Sequence, residues 1–156
     1  MQTRFDYRRN GPPGALDGLR TLERYTHLCG LDPLLLELIK ARASQINGCA
    51  YCIDMHTKDA RALGETEQRL YALSVWRDTP FYSERERAAL EWTETLTLIS
   101  ENDVPDALYD RIQKQFPPDE LVNLTLAIVT INAWNRLAIS FRSVAGTYQR
   151  PETKTT

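Results

Sequence analysis

Apolar positions recur at intervals of three and four from Leu16 to Arg142. No long alternating run bounded by turn residues interrupts them, so the pattern predicts helices and no strand. Leu19, Leu22, Thr26 and Cys29 form one stripe of a first helix that begins at Asp17, with Gly30 placed for a left-handed C-terminal cap. Asp32 and Pro33 supply an N-cap and an N1 proline for a second helix through about Ile46. Asn47-Gly48 lies between two helical patterns and reads as a helix–helix junction. A third helix runs from about Cys49 to Leu63 and ends at Gly64, and Thr66 caps a fourth through about Trp76. After the connector RDTPFY, Ser83 and Glu86 make a capping box for a fifth helix carrying Ala89, Trp92, Leu96 and Ile99 at helical spacing. Asp103-Val104-Pro105 ends it and opens a short sixth helix to about Phe116. Beyond Pro117-Pro118, the stretch from Leu121 to Phe141 is apolar nearly all round, as expected of a helix at the centre of a core or at a subunit interface.

The expected architecture is therefore all-α, a single-domain bundle of six to seven helices over residues 16–145. An N-terminal extension occupies 1–15, and a polar tail occupies 146–156, its PETKTT end expected to fray. Composition changes this picture little. With 156 residues, 42% hydrophobic and 26% charged, the chain can bury roughly 70% of its unfolded surface in one core without staples. The formal charge is −2 and the longest basic run is the pair Arg8-Arg9, which argues against nucleic acid or anionic lipid as partners. The N-terminus has charges but no apolar segment behind them, and no stretch approaches the roughly 18 uninterrupted apolar residues that span a bilayer. A cytoplasmic protein is expected. No G-x-G-x-x-G follows a strand, so no flavin or nicotinamide cofactor is expected either.

Candidate chemistry concentrates in INGCAYCIDMH, residues 46–56. An odd total of three cysteines does not suit a disulfide framework, and in a reducing compartment a close pair is catalytic or metal-binding. At about 100° per residue, Cys49 and Cys52 lie about 60° apart on a helix, with His56 within about 40° of Cys52, so all three share a face. The i,i+4 spacing lets His56 assist Cys52 directly, while Cys49 is a turn further off and within reach of a bridging water. A free thiol with pKa about 8.5 needs such a base, or the amides of a helix N-terminus, to become a thiolate. A second thiol three residues away can resolve what the first becomes, such as a sulfenic acid.

Two other readings fit the same residues. Zinc would take the CxxC as half a site and draw on Cys29, His27 or His56, but no second CxxC and no H-x3-5-H is present. The cysteines could also be no more than small buried hydrophobes. Cys29 itself sits on an apolar stripe and reads as core, and His27, off that stripe, as a surface or interface residue. A relaying imidazole has its other nitrogen oriented by a carboxylate. Glu37 is the candidate, since Glu37, Ala41 and Ser44 share a face of the preceding helix; Glu37 could instead pair with Lys40. Arg42 and Ser44 read as supports, and Asn135 and Arg136 as core or interface.

Taken together, Glu37-x4-Arg42-x-Ser44-x2-Asn47-x-Cys49-x2-Cys52-x3-His56 resembles the signature of the alkylhydroperoxidase D-like branch of the carboxymuconolactone decarboxylase family. RASQINGCAYCIDMH is the specific part, and INAWNRLAI at 131–139 is similar to the late helix of single-domain members. The resemblance implies an all-helical fold, homo-oligomers (trimers or hexamers) and a thiol-dependent peroxidase. It makes Cys52 the peroxide-attacking thiol, Cys49 the resolving thiol of a Cys49–Cys52 disulfide, and His56 with Glu37 the proton relay. A hydroperoxide is then the substrate, and an external thiol or dithiol protein the reductant. One position departs from the pattern: the residue before Cys52, histidine in the best-known peroxidase of the family, is Tyr51 here.

Two rivals remain. Lactone decarboxylation belongs to members that lack the CxxC, and a non-enzymatic redox sensor would oxidise the pair without turnover. A thioredoxin-like site is disfavoured, because its CxxC follows a strand.

Overall fold

A computed structural model describes residues 2–150. Among these the chain is all-helical, with eight α-helices, one 3-10 segment and no strand. The order is α1 (Tyr7–Asn10), α2 (Asp17–Leu28), α3 (Pro33–Asn47), α4 (Ala50–Ala62), α5 (Glu67–Ala72), the 3-10 segment (Leu73–Asp78), α6 (Glu84–Thr97), α7 (Asp106–Gln113) and α8 (Pro118–Phe141).

The caps form largely as the sequence predicts. Asp32 accepts from the Leu34 amide at 2.7 Å, and Ser83 with Glu86 forms a reciprocal capping box. Gly48 takes a left-handed conformation, φ 72°, which turns α3 into α4 and leaves Cys49 as the N-cap residue of α4.

Three differences have physical reasons. The expected fourth helix breaks at Val75, whose φ of −122° and ψ of 30° leave the helical region, and a 3-10 segment follows α5 with Leu73 and Trp76 both buried. Ile99 lies beyond the end of α6 and is exposed rather than on the buried stripe. The N-terminal extension holds the extra helix α1, closed at Gly11, where a Cβ would stand 2.5 Å from the Tyr7 carbonyl oxygen. The PETKTT end lies outside the described residues.

α3 is the central element and packs against α4, α6 and α8. Its apolar side, Leu35, Leu36 and Ile39, joins Trp92, Ile112, Phe116, Leu124 and Ile128 in the main core. A smaller cluster of Ala43, Cys49, Tyr51, Cys52, Ile131 and Ala138 surrounds the CxxC. α8 is long and apolar enough to cross a membrane by composition, yet it packs on α2, α3 and α6, with Leu124, Ala127 and Asn135 fully buried. Its Val122, Val129 and Ile139 remain exposed.

Candidate active site

Besides its apolar side, α3 buries Glu37, Lys40 and Ser44, recurring at three and four residues along one stripe. Polar groups on a buried stripe must find partners, and these do. Ser44 Oγ donates to the Lys40 carbonyl at 2.7 Å and accepts from Asn135 Nδ2 at 3.1 Å. Asn47 Nδ2 reaches Asn135 and Asn132 at 2.8 and 3.0 Å, which locks the α3–α4 junction to α8. Asn135 and Ser44 are thus supports; Arg42 pairs with Glu94 at 2.8 Å, away from the cysteines.

Glu37 stands between two basic groups. Its Oε1 accepts from Lys40 Nζ at 3.1 Å, and its Oε2 lies 2.7 Å from His56 Nδ1. Both expected partners, His56 and Lys40, are therefore present at once, and all three side chains are at least nine-tenths buried. Burial alone would push the Glu37 carboxyl up, but the His56 hydrogen bond and the His56 and Lys40 charges overcome it and hold the group at about 2. An ionised carboxylate only accepts, so Nδ1 carries a hydrogen toward Glu37, and Nε2 is the ring nitrogen left to exchange a proton with a neighbour. That Nε2 is buried and has no hydrogen-bond partner.

Cys49 and Cys52, both 2% exposed, are joined as a disulfide with Cα atoms 5.3 Å apart. Cys52 Sγ therefore faces Cys49, and no hydrogen bond joins His56 to either sulfur, in place of the direct contact that the i,i+4 spacing suggests. Cys52 lines a cavity of about 270 Å³ with Arg8, Arg20, Glu23, Met55 and Trp134. His56, Glu37, Lys40, Asp59 and Tyr148 line a second cavity of about 410 Å³, which shares Glu23 and Met55 with the first.

Sequence reasoning missed several of these neighbours. Asp59 lies one turn beyond His56, and Tyr148 folds back from the C-terminal segment to donate to both Asp59 oxygens at 3.0 Å. Tyr148 is pushed up to about 12, by burial and by Asp59. Lys58 binds the Tyr148 carbonyl at 3.2 Å, and the Gly146 amide donates to Asp54 at 3.0 Å, so residues 146–150 form a strap over α4. Arg8 of α1 donates to the Tyr51 hydroxyl at 2.9 Å. The i+3 spacing from His56 to Asp59 was an available signal; nothing in the sequence pattern pointed to Arg8 or Tyr148.

The zinc ligands weighed from sequence are not assembled. Cys29 is partly buried against the main core, and His27 is exposed, 3.4 Å from Lys40. Among the described residues the metal-ligating atoms that do converge are those of Glu37, His56 and Asp59, within 4.8 Å of one another. Lys40 and Tyr148 already occupy these carboxylates, so a protein ammonium supplies the positive charge a cation would bring.

Residues 13–95 match the model of the carboxymuconolactone decarboxylase family. The uncharacterised protein YdfG of Bacillus subtilis (strain 168) is 46% identical over 140 residues, 90% of this chain and 95% of that one. A solved structure from Agrobacterium tumefaciens superposes with a TM-score of 0.89 at 42% identity, over 94% of this chain and 100% of that one. Its name records an unknown function and a suggested antioxidant-defence role of the AhpD kind. An uncharacterised peroxidase-related protein from Silicibacter sp. TM1040 shares the fold at 22% identity, with a TM-score of 0.75 over 85% of this chain and 70% of that one. Buried Glu37 and His56 beside a CxxC at the head of α4, together with these matches, show that the chain belongs to the carboxymuconolactone decarboxylase family, in its alkylhydroperoxidase D-like branch.

Proposed function

We propose that the protein is a thiol peroxidase that reduces hydroperoxides through a Cys49/Cys52 dithiol–disulfide cycle. The observation that carries this reading is the polarised imidazole. His56 is fixed through Nδ1 by an ionised Glu37 and keeps a buried, unpartnered Nε2 one helical turn from a thiol that lines a cavity.

In the reduced protein, His56 Nε2 takes the proton of Cys52. The Cys52 thiolate attacks the distal peroxide oxygen, the O–O bond breaks, and the alkoxide leaves with the proton returned by His56, which yields Cys52 sulfenic acid and an alcohol. Cys49 thiol then displaces water from the sulfenic acid to form the disulfide, and an external thiol or dithiol protein supplies the two electrons and two protons that restore both thiols. No flavin or nicotinamide takes part in this scheme, and a reducing cytoplasm would sustain it. A homo-oligomer, trimer or hexamer, belongs to the same proposal: Ile99 and Val129 are exposed on an apolar groove between α6 and α8 that a second copy would cover.

Stopped-flow oxidation by cumene hydroperoxide tests the cycle. One equivalent should remove two thiols per chain, C52S should abolish the reaction, and C49S should stop at a sulfenic acid. Wild-type turnover by C52S would overturn the assignment, and disulfide formation without turnover under any reductant would leave a redox sensor.

A further inference from the structure

The Cys52 cavity has a charge character that peroxide reduction alone does not require. Arg8 has no carboxylate within 4.0 Å among the described residues; the nearby Asp6 caps the backbone of α1 and pairs with Arg9. The Arg8 guanidinium is instead held by aromatic rings, 5.1 Å from the Tyr51 centroid and 5.8 Å from that of Trp134. One N–H is spent on the Tyr51 hydroxyl, the Tyr7 ring lies 5.7 Å from the guanidinium, and the planar fork has further donors with no carboxylate to meet. Arg20, on the same cavity, has only an exposed pair with Asp17 at 3.7 Å, an interaction worth little in water. Trp134 forms a third wall. Glu23 is the one carboxylate of the lining, and it also borders the cavity of Lys40 and His27, so the two arginines leave the Cys52 side net positive. Met55 and the Trp134 ring add apolar surface.

We propose that the substrate is an organic hydroperoxide bearing a carboxylate, gripped by Arg8 and Arg20 while its apolar body lies on Met55 and Trp134 and its peroxide meets Cys52. This rests on the peroxidase reading and names its substrate class. An arginine fork matches a carboxylate in shape and charge, and guanidinium donors without a carboxylate partner favour a ligand that only accepts. Position Tyr51 then has a purpose different from that of the family's histidine: its ring and hydroxyl present Arg8 to the cavity.

The test compares cumene hydroperoxide carrying a para carboxylate with the methyl ester of the same compound. Wild type should favour the acid by about tenfold in kcat/KM, mainly through KM, as expected of a charged hydrogen-bond contact. R8Q and R20Q should bring the ratio toward one, and R8K should restore part of it. Equal rates for acid and ester in wild type, or a ratio untouched in both variants, would overturn the proposal. A second measurement reads the site without turnover: 4-isopropylbenzoate titrated calorimetrically into C52S should bind at least about tenfold more tightly than its methyl ester, and R8Q should remove the difference. Such binding in C52S, with no peroxide turnover by the wild type, would keep the anion site and sink the peroxidase reading; equal binding of acid and ester would sink the site.

Discussion

Two glutamates of this chain, Glu37 and Glu94, each bind more than one donor, and only Glu37 belongs to the candidate site. Glu94, partly buried, accepts from Arg42 and Trp76 at 2.8 Å on one oxygen and from Arg77 on the other, and its carboxyl is held low by these donors against burial. No buried side-chain nitrogen or oxygen of that cluster lacks a partner, and the cluster ties α3, the 3-10 segment and α6 together. Glu37 also satisfies both oxygens, but one partner is an imidazole whose second nitrogen has none. A saturated cluster can only hold the fold; an open nitrogen beside a cavity can move a proton.

The largest effect should come from that nitrogen. His56→Gln leaves Glu37 its Lys40 partner and should lower the rate of Cys52 oxidation by cumene hydroperoxide by about 10²- to 10⁴-fold, the span of general acid–base catalysis. Glu94→Gln should leave that rate at the wild-type level. A comparable loss in both variants would erase the distinction between the two clusters.

Stability should separate them in the opposite sense from a naive count of bonds. Glu37→Gln strands a buried ammonium at Lys40 and should cost about 3–5 kcal/mol, whereas Glu94→Gln, partly solvated, should cost about 1.5–3 kcal/mol in charged hydrogen bonds. Urea denaturation midpoints at neutral pH check the order. Acid sharpens it further. The Glu37 carboxyl lies at about 2 against an ordinary 4.5, so its contribution is fully present above pH 4.5 and is lost as pH falls from there toward 2. In Glu37→Gln the midpoint should fall less steeply across that window than in wild type, and parallel curves would show that the pair does not stabilise the fold.

Much of this comparison could be read from the chain and some could not. Glu37 and His56 sit nineteen residues apart on successive helices, and a Gly48 junction between them makes their meeting a local matter. Lys40 was legible as a partner of Glu37 but not as a buried one, because single-sequence patterns do not say which lysine a neighbouring helix will cover; it is covered by the same packing that buries Glu37. The break at Val75 was hidden because Leu73 and Trp76 suit an α-helix and a 3-10 turn equally well. Arg8 and Tyr148 come from the two end segments, where no periodicity links a residue to the face it will meet.

The smallest effect tests where the open cluster ends. Tyr148 roofs the His56 cavity through Asp59, a carboxylate already within reach of the imidazole. Its hydroxyl has a single hydrogen shared between two oxygens, and Arg150 stands at 3.9 Å as a remaining partner for Asp59. Tyr148→Phe should therefore cost only about 0.5–1.5 kcal/mol, a drop of a few degrees in Tm for a chain of this size, roughly 2–4 °C per kcal/mol. Because the ring stays and the strap keeps its Lys58 and Asp54 anchors, KM for peroxide should shift while the rate of the thiol step holds. A fall in that rate approaching the His56→Gln loss would extend the proton path through Asp59 to Tyr148. The strap would then belong with the open cluster, as a working part of it rather than its cover.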